Sequence, residues 1–142
     1  MSAENVDRSE ALGDNVESLR AFWEAWTPGG EFPVFGLDPD VTYEDTTLPD
    51  HIGEEYRGHD GVARAAARWL EPYESLTIEL ERIVGSGDRL VSIHHVRSKA
   101  RYTGIEDEGP LAYVWTFRDG KVIHFQSYRD ADEALAAAGL GD

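Results

Sequence analysis

A chain of 142 residues has the length of one domain, enough to bury roughly 68–70% of the surface its unfolded form exposes. Its 28 acidic against 13 basic residues give a net charge of −15, which repels phosphates and argues against nucleic acid or an anionic membrane as partner. Without cysteine there is no disulfide, thiol nucleophile or Cys-ligated metal, and no apolar run approaches the ~18 residues that cross a bilayer. The polar start lacks the apolar core of a signal peptide, so the cytoplasm is the expected compartment.

Residues 1–13 are expected to fray as a flexible tail, which leaves one domain over 14–142. Asp14 suits a helix N-cap, with Glu17 as its capping-box partner. Val16, Leu19, Trp23 and Trp26 then recur at i, i+3, i+7 and i+10, one apolar stripe of a helix. Pro28-Gly29-Gly30 stops it. Residues 32–37 have room for a short second helix. Over 41–45 a strand puts Val41, Tyr43 and Asp45 on one face, and 46–55 reads as a polar loop. Asp60 is placed to cap a long helix with the stripe Val62, Ala65/Ala66, Trp69 and Tyr73, ending near Pro72.

Four long strands follow. Leu76, Ile78 and Leu80 alternate with Thr77, Glu79 and Glu81, which gives one buried face. Beyond the turn at Gly85–Asp88, residues 90–101 set Leu90, Ser92, His94, Val96 and Ser98 against Val91, Ile93, His95 and Arg97. Residues 103–110 read as a Gly- and acid-rich loop. The runs 111–117 and 122–128 flank Asp119-Gly120, a pair that tolerates the positive φ of a type I′ turn, so they form a hairpin. A short helix over 130–139 ends at Gly139. The order α–(α)–β–α–β–β–β–β implies an α+β fold with helices packed on one side of a curved antiparallel sheet and a conical pocket between them.

The segments Asp38-Pro-Asp-Val-Thr-Tyr-Glu-Asp45, Tyr56-Arg-Gly-His-Asp-Gly-Val62, Trp115-Thr-Phe-Arg-Asp-Gly-Lys-Val122 and Asp132-Glu-Ala-Leu-Ala-Ala-Ala-Gly-Leu140 resemble the nuclear transport factor 2-like superfamily. Within it the SnoaL-like polyketide cyclases and ketosteroid isomerases are the most similar groups, over about residues 14–139. The resemblance implies a cystatin-like α+β barrel around a cavity. It also implies a general-base Asp at the end of the first strand, here Asp45. The isomerases add a Tyr on the first helix and a protonated Asp on the penultimate strand as oxyanion donors. The similar positions here are Trp23 and Tyr113. The base is kept and both donors are replaced, which argues against steroid isomerisation. The fold hosts enzymes and binding modules alike, so activity rests on the site.

Among the candidate site residues, Asp45 either takes a proton in an apolar pocket or caps the following turn in solvent. Tyr113 offers a hydrogen bond to a ligand oxygen or serves as a core aromatic. His94, on the pocket-facing side, is a second acid–base group or a buried His bonded to a neighbour. Trp23, Tyr43, Trp69, Trp115 and Phe125 would line the pocket if it reaches them. His95 and His124 point to the other face. Asp50, His51, Glu54, Glu55, His59 and Asp60 match no metal-ligand spacing, and no phosphate loop or strained nucleophile elbow is present.

The expected partner is therefore a small hydrophobic or carbonyl-containing molecule, with neither metal nor cofactor. One expected reading is a cofactor-independent isomerase, cyclase or dehydratase, and the other a non-catalytic binding or interaction module. The outward set Val91, Ile93, Ala112 and Val114 is too apolar for water, which points to a homodimer.

Overall fold

The computed structural model describes residues 14–28, 30–45 and 55–140. The expected tail over 1–13 and the loop carrying Asp50, His51 and Glu54 lie outside the described residues. The elements run α1 (Asp14–Ala25), β1 (Leu37–Asp45), β2 (Glu55–Arg57), α2 (Gly58–Leu70), β3 (Tyr73–Ser86), β4 (Arg89–Ala100), β5 (Glu106–Arg118), β6 (Lys121–Tyr128) and α3 (Ala131–Ala137). All six strands join one curved sheet in the order β2-β1-β6-β5-β4-β3. The fold is α+β, as the element order implies, with one difference in pairing. The last strand, β6, enters between β5 and β1 and runs parallel to β1, whereas the other neighbours are antiparallel.

Helices α1 and α2 cover the inner face of the sheet. Val16, Leu19 and Phe22 of α1 and Val62 of α2 meet Leu37, Val41, Ile83, Leu90, Trp115 and Phe125 in the main core. Each such side chain contributes about 1.5–3 kcal/mol by leaving water. The centre of the α1 stripe is Phe22 rather than Trp23. A 3.6-residue period lets either face the sheet, and Phe22 does so, which turns Trp23 to the flank of the core.

Two of the register shifts in the sheet reset the alternation within the core. The β3–β4 register shifts between Leu80 and Arg82, so Leu80 and Ile83 both pack inward although they differ in parity. In the closing hairpin Arg118 pairs with Lys121 across Asp119 (φ 53°) and Gly120 (φ 81°), the expected turn. A shift between Thr116 and Phe117, opposite Ile123, brings both Val122 and Phe125 inward.

Four local expectations change. Residues 32–37 form no helix; Pro33 has no N–H to give, and Val34 O accepts from Leu37 N in a turn (3.1 Å). A short strand, β2, precedes α2, whose N-cap is Arg57 without a side-chain bond; Asp60 sits in the first turn instead. Strand β5 starts at Glu106, inside the segment read as loop, because β4 offers partners to pair with it as far as Lys99.

The fourth change is the place of α3, which lies on the outer face. Ala134 and Ala138, one turn apart, lay a flat surface over Val91, Ile93, Ala112 and Val114. The helix is held at both ends. Asp130 accepts from Glu133 N (2.9 Å), while Gly139 N and Leu140 N donate back to Ala136 O and Leu135 O in a Schellman closure. The four outward apolar residues are therefore buried within a single chain, and their hydrophobicity supplies no argument for a dimer.

Candidate functional site

The register lines up inner-face residues from distant parts of the chain. One lateral row runs Tyr43, Phe125, Trp115 and Leu90 across β1, β6, β5 and β4. Its rings stack, Tyr43 on Phe125 at 4.6 Å and Phe125 on Trp115 at 4.7 Å between centroids. The next row is polar: Asp45, Ser127, Tyr113 and Ser92 on the same four strands. An aromatic floor thus borders a line of hydroxyl and carboxyl groups.

Asp45 is only 7% exposed and accepts from Ser127 Oγ at 3.0 Å. Tyr43 Oη lies 2.9 Å from the same Ser127 oxygen. Ser127 has one proton and gives it to the carboxylate, so Tyr43 is the donor to Ser127. Burial, with Tyr113 and Asp45 nearby, pushes the Tyr43 phenol well above its ordinary range, which keeps that proton in place. Burial, and next Asp45, likewise raises Tyr113. The result is a chain of hydrogen bonds, Tyr43 to Ser127 to Asp45, that holds one oxygen of the carboxylate in place.

His94 is 1% exposed. Its Nε2 lies 2.8 Å from Ser92 Oγ, which also accepts from Trp115 Nε1 at 2.8 Å. Burial pushes its pKa down to about 3, so the ring is neutral at physiological pH. In the unfolded chain it titrates near 6.5, so on acidification the unfolded state takes up the proton first. Stability from this group is complete above about pH 6.5 and is lost toward about pH 3, by up to ~1.4 kcal/mol per pH unit. The stability advantage of the native chain over His94→Gln should accordingly narrow between about pH 7 and pH 4, as read from urea unfolding. An advantage that does not change with pH would contradict this.

Two hollows meet here. The inner one, about 30 Å³, is walled by Trp23, Tyr43, Val62, Trp69, Tyr113, Trp115 and Phe125 together with Phe22, Trp26 and Phe32. That is space for about one water. The second, about 260 Å³, is a cleft bordered by Asp45, Tyr56, Arg68, Glu71 and Tyr73, and it shares Ala65 and Trp69 with the first. Trp69 is the larger of the two side chains that border both.

All five expected lining aromatics, Trp23, Tyr43, Trp69, Trp115 and Phe125, border the inner hollow, as does Tyr113. Asp45 borders the cleft instead, and His94 sits behind Trp23 with its ring centroid 4.2 Å away. His124 and His95 point to the other face, where they meet Thr42 (2.6 Å) and Glu108 (2.8 Å). His59 bonds Leu37 O (3.0 Å), and among the described residues no group of three or more acidic or His side chains is placed to hold a metal. Sequence reasoning turns Ser92 and Ser127 inward but does not single them out as site residues. Their only signal is parity, two residues from Phe125 and from His94 on the inner face.

Among the described residues no helix is long and apolar enough to cross a membrane. A comparison with curated proteins finds no match. Solved structures are similar across nearly the whole domain. An NTF2-like protein of unknown function from Burkholderia pseudomallei is 23% identical, with a TM-score of 0.71 over 89% of this chain and 98% of its own. TerC, crystallised with polyporic acid, is 20% identical, with a TM-score of 0.71 over the same shares. A protein of ketosteroid isomerase-like fold from Catenulispora acidiphila, in complex with trimethylamine, is 19% identical at a TM-score of 0.64, covering 89% of this chain and 92% of its own. These likenesses concern the fold. The model of the SnoaL-like domain matches residues 19–125, which span the inner face, Asp45 and the aromatic floor, and the chain belongs to that family within the NTF2-like superfamily.

Proposed function

We propose that this protein binds a small hydrophobic ring or carbonyl compound on the inner face of its sheet and moves a proton on it without a cofactor. Asp45 acts as the general base. Isomerisation, aldol-type cyclisation and dehydration all suit that machinery. The observation that carries the reading is the buried Asp45 carboxylate, clamped by Ser127 beside an aromatic floor. A positioned base of this kind contributes about 10²–10⁴-fold. Crystallisation of TerC with polyporic acid supports ligand binding by the fold. Asp45→Asn is the deciding variant.

A ring does not fit the inner hollow at about 30 Å³. Entry from the cleft therefore requires Trp69 to swing aside, which joins the hollow to the space beside Asp45. Trp69→Ala should bind the neutral probe N-phenyl-1-naphthylamine about tenfold or more tightly than the native chain, with a matching rise in fluorescence. Equal binding by both would remove Trp69 as the gate.

The tightness of the hollow also favours a second reading, a non-catalytic binding or interaction module of the same fold. The two differ in their response to Asp45→Asn: turnover needs the carboxylate, whereas binding by a module does not.

A further inference from the structure

Two polar atoms stand out in the interior. Trp23 Nε1 and His94 Nδ1 are both buried, and neither has a hydrogen-bond partner among the described residues. Their rings are in contact, with centroids 4.2 Å apart and planes tilted by 53°. Buried polar groups are nearly always paired, so two orphans side by side call for a common cause.

Proton bookkeeping identifies what they need. The Trp115 indole is only a donor, so it gives its N–H to Ser92 Oγ. Ser92 is fully buried, and its other hydrogen-bond neighbour is His94 Nε2. The Ser92 hydroxyl proton is satisfied only if it points at Nε2. That makes Nε2 the acceptor and puts the single proton of the neutral ring on Nδ1. Both orphans are then N–H donors, and what is missing is an acceptor.

We propose that His94 Nδ1–H and Trp23 Nε1–H form a two-donor anchor for an oxygen acceptor on the ligand, a ketone or quinone-type carbonyl carried by an aromatic body. Ser92 and Trp115 are positioning residues that set the His94 tautomer and ring orientation. The acceptor must suit an uncharged ring, because His94 brings two neutral nitrogens and no cation. Tyr113 sits 5.4 Å from Trp23 and 5.6 Å from His94 between ring centroids, and Trp23 itself borders the aromatic hollow. This deepens the proposed function and rests on its claim that the hollow takes a ligand.

The test uses the full chain labelled with ¹⁵N and two probes of like shape, acetophenone and ethylbenzene. The free protein should show His94 as the Nδ1–H tautomer. Acetophenone should bind roughly tenfold tighter than ethylbenzene, about one net hydrogen bond's worth. It should also shift both the Trp23 indole and the His94 Nδ1 resonances. Trp115→Phe, which keeps the ring but not the N–H, should move the tautomer toward Nε2–H and erase the preference.

An Nε2–H tautomer in the native chain would overturn the anchor. So would resonances that acetophenone leaves unmoved because a resident water holds both donors, or failure of both probes to bind. Equal binding of the two probes would sink the anchor while leaving ligand binding intact. Engagement of both donors together with full turnover by Asp45→Asn would sink the Asp45 reading alone.

Discussion

Asp45→Asn should lower turnover by about 10²–10⁴-fold and leave folding nearly untouched. The substitution keeps the shape of the side chain, and the amide oxygen still accepts the Ser127 proton that the carboxylate holds at 3.0 Å. What it removes is the capacity to take a proton. The change in melting temperature should therefore stay within a few degrees, because the buried Ser127 hydroxyl keeps an acceptor. Ser127→Ala should weaken activity less, since the base survives but loses its clamp, and Tyr43 loses the oxygen to which it donates. The chemical step can be followed without the natural substrate. Exchange of protons α to a carbonyl in deuterated water, followed by NMR over a panel of cyclic and aryl ketones, reports it directly. Exchange by the Asn variant at the native rate would end the enzymatic reading and leave the binding module.

The largest effect on stability is expected at Trp115. It is 1% exposed, stacks on Phe125 and meets Phe22 edge-on at 5.5 Å, and its indole holds Ser92. Trp115→Ala should cost about 3–5 kcal/mol, because the lost burial adds to a cavity that the β4 and β6 partners cannot close. For a domain of this size that is a fall in melting temperature of roughly 10 °C or more. Trp115→Phe should cost far less, since a ring still fills the space and only the bond to Ser92 goes. Urea midpoints of the two variants separate packing from hydrogen bonding. Equal losses would mean that the Ser92 bond, not the ring, holds the centre of the sheet.

The features that were legible in the sequence are local ones. The Asp119-Gly120 turn, the 3.6-residue stripes of α1 and α2, and the two-residue alternation of β4 each depend on neighbours within a few positions. The same holds for the strand aromatics Tyr43, Trp115 and Phe125, since a ring on the inward parity of a strand faces whatever the sheet encloses. The resemblance that supplied Asp45 also belongs here, being a short motif at the end of one strand.

Failures came where the deciding contact was distant. Ile83 and Val122 join the core only because bulges shift the register, and a bulge exists only in the pairing of two strands. Phe22 displaced Trp23 because two adjacent positions on a helix compete for one face, and the sheet opposite chooses. Helix α3 was read correctly as a helix but not as the cover of Val91, Ile93, Ala112 and Val114. Its Ala134 and Ala138 carry no strong signal until they meet that surface.

Periodicity, turn chemistry and composition are properties of short segments, so the helical stripes of α1 and α2, the long strands, the Asp119-Gly120 turn and the exclusion of thiol chemistry were settled along the chain itself. The site was not. Asp45 and Ser127 are separated by 82 positions in the sequence and bonded in space, and the row they share with Tyr113 and Ser92 exists only once four strands adopt one register. Hydrogen bonds between strands carry no trace in any one of them, so the hydrogen-bond chain from Tyr43 to Asp45, the orphaned pair at Trp23 and His94, and the place of Trp69 beside both hollows belong to the folded molecule.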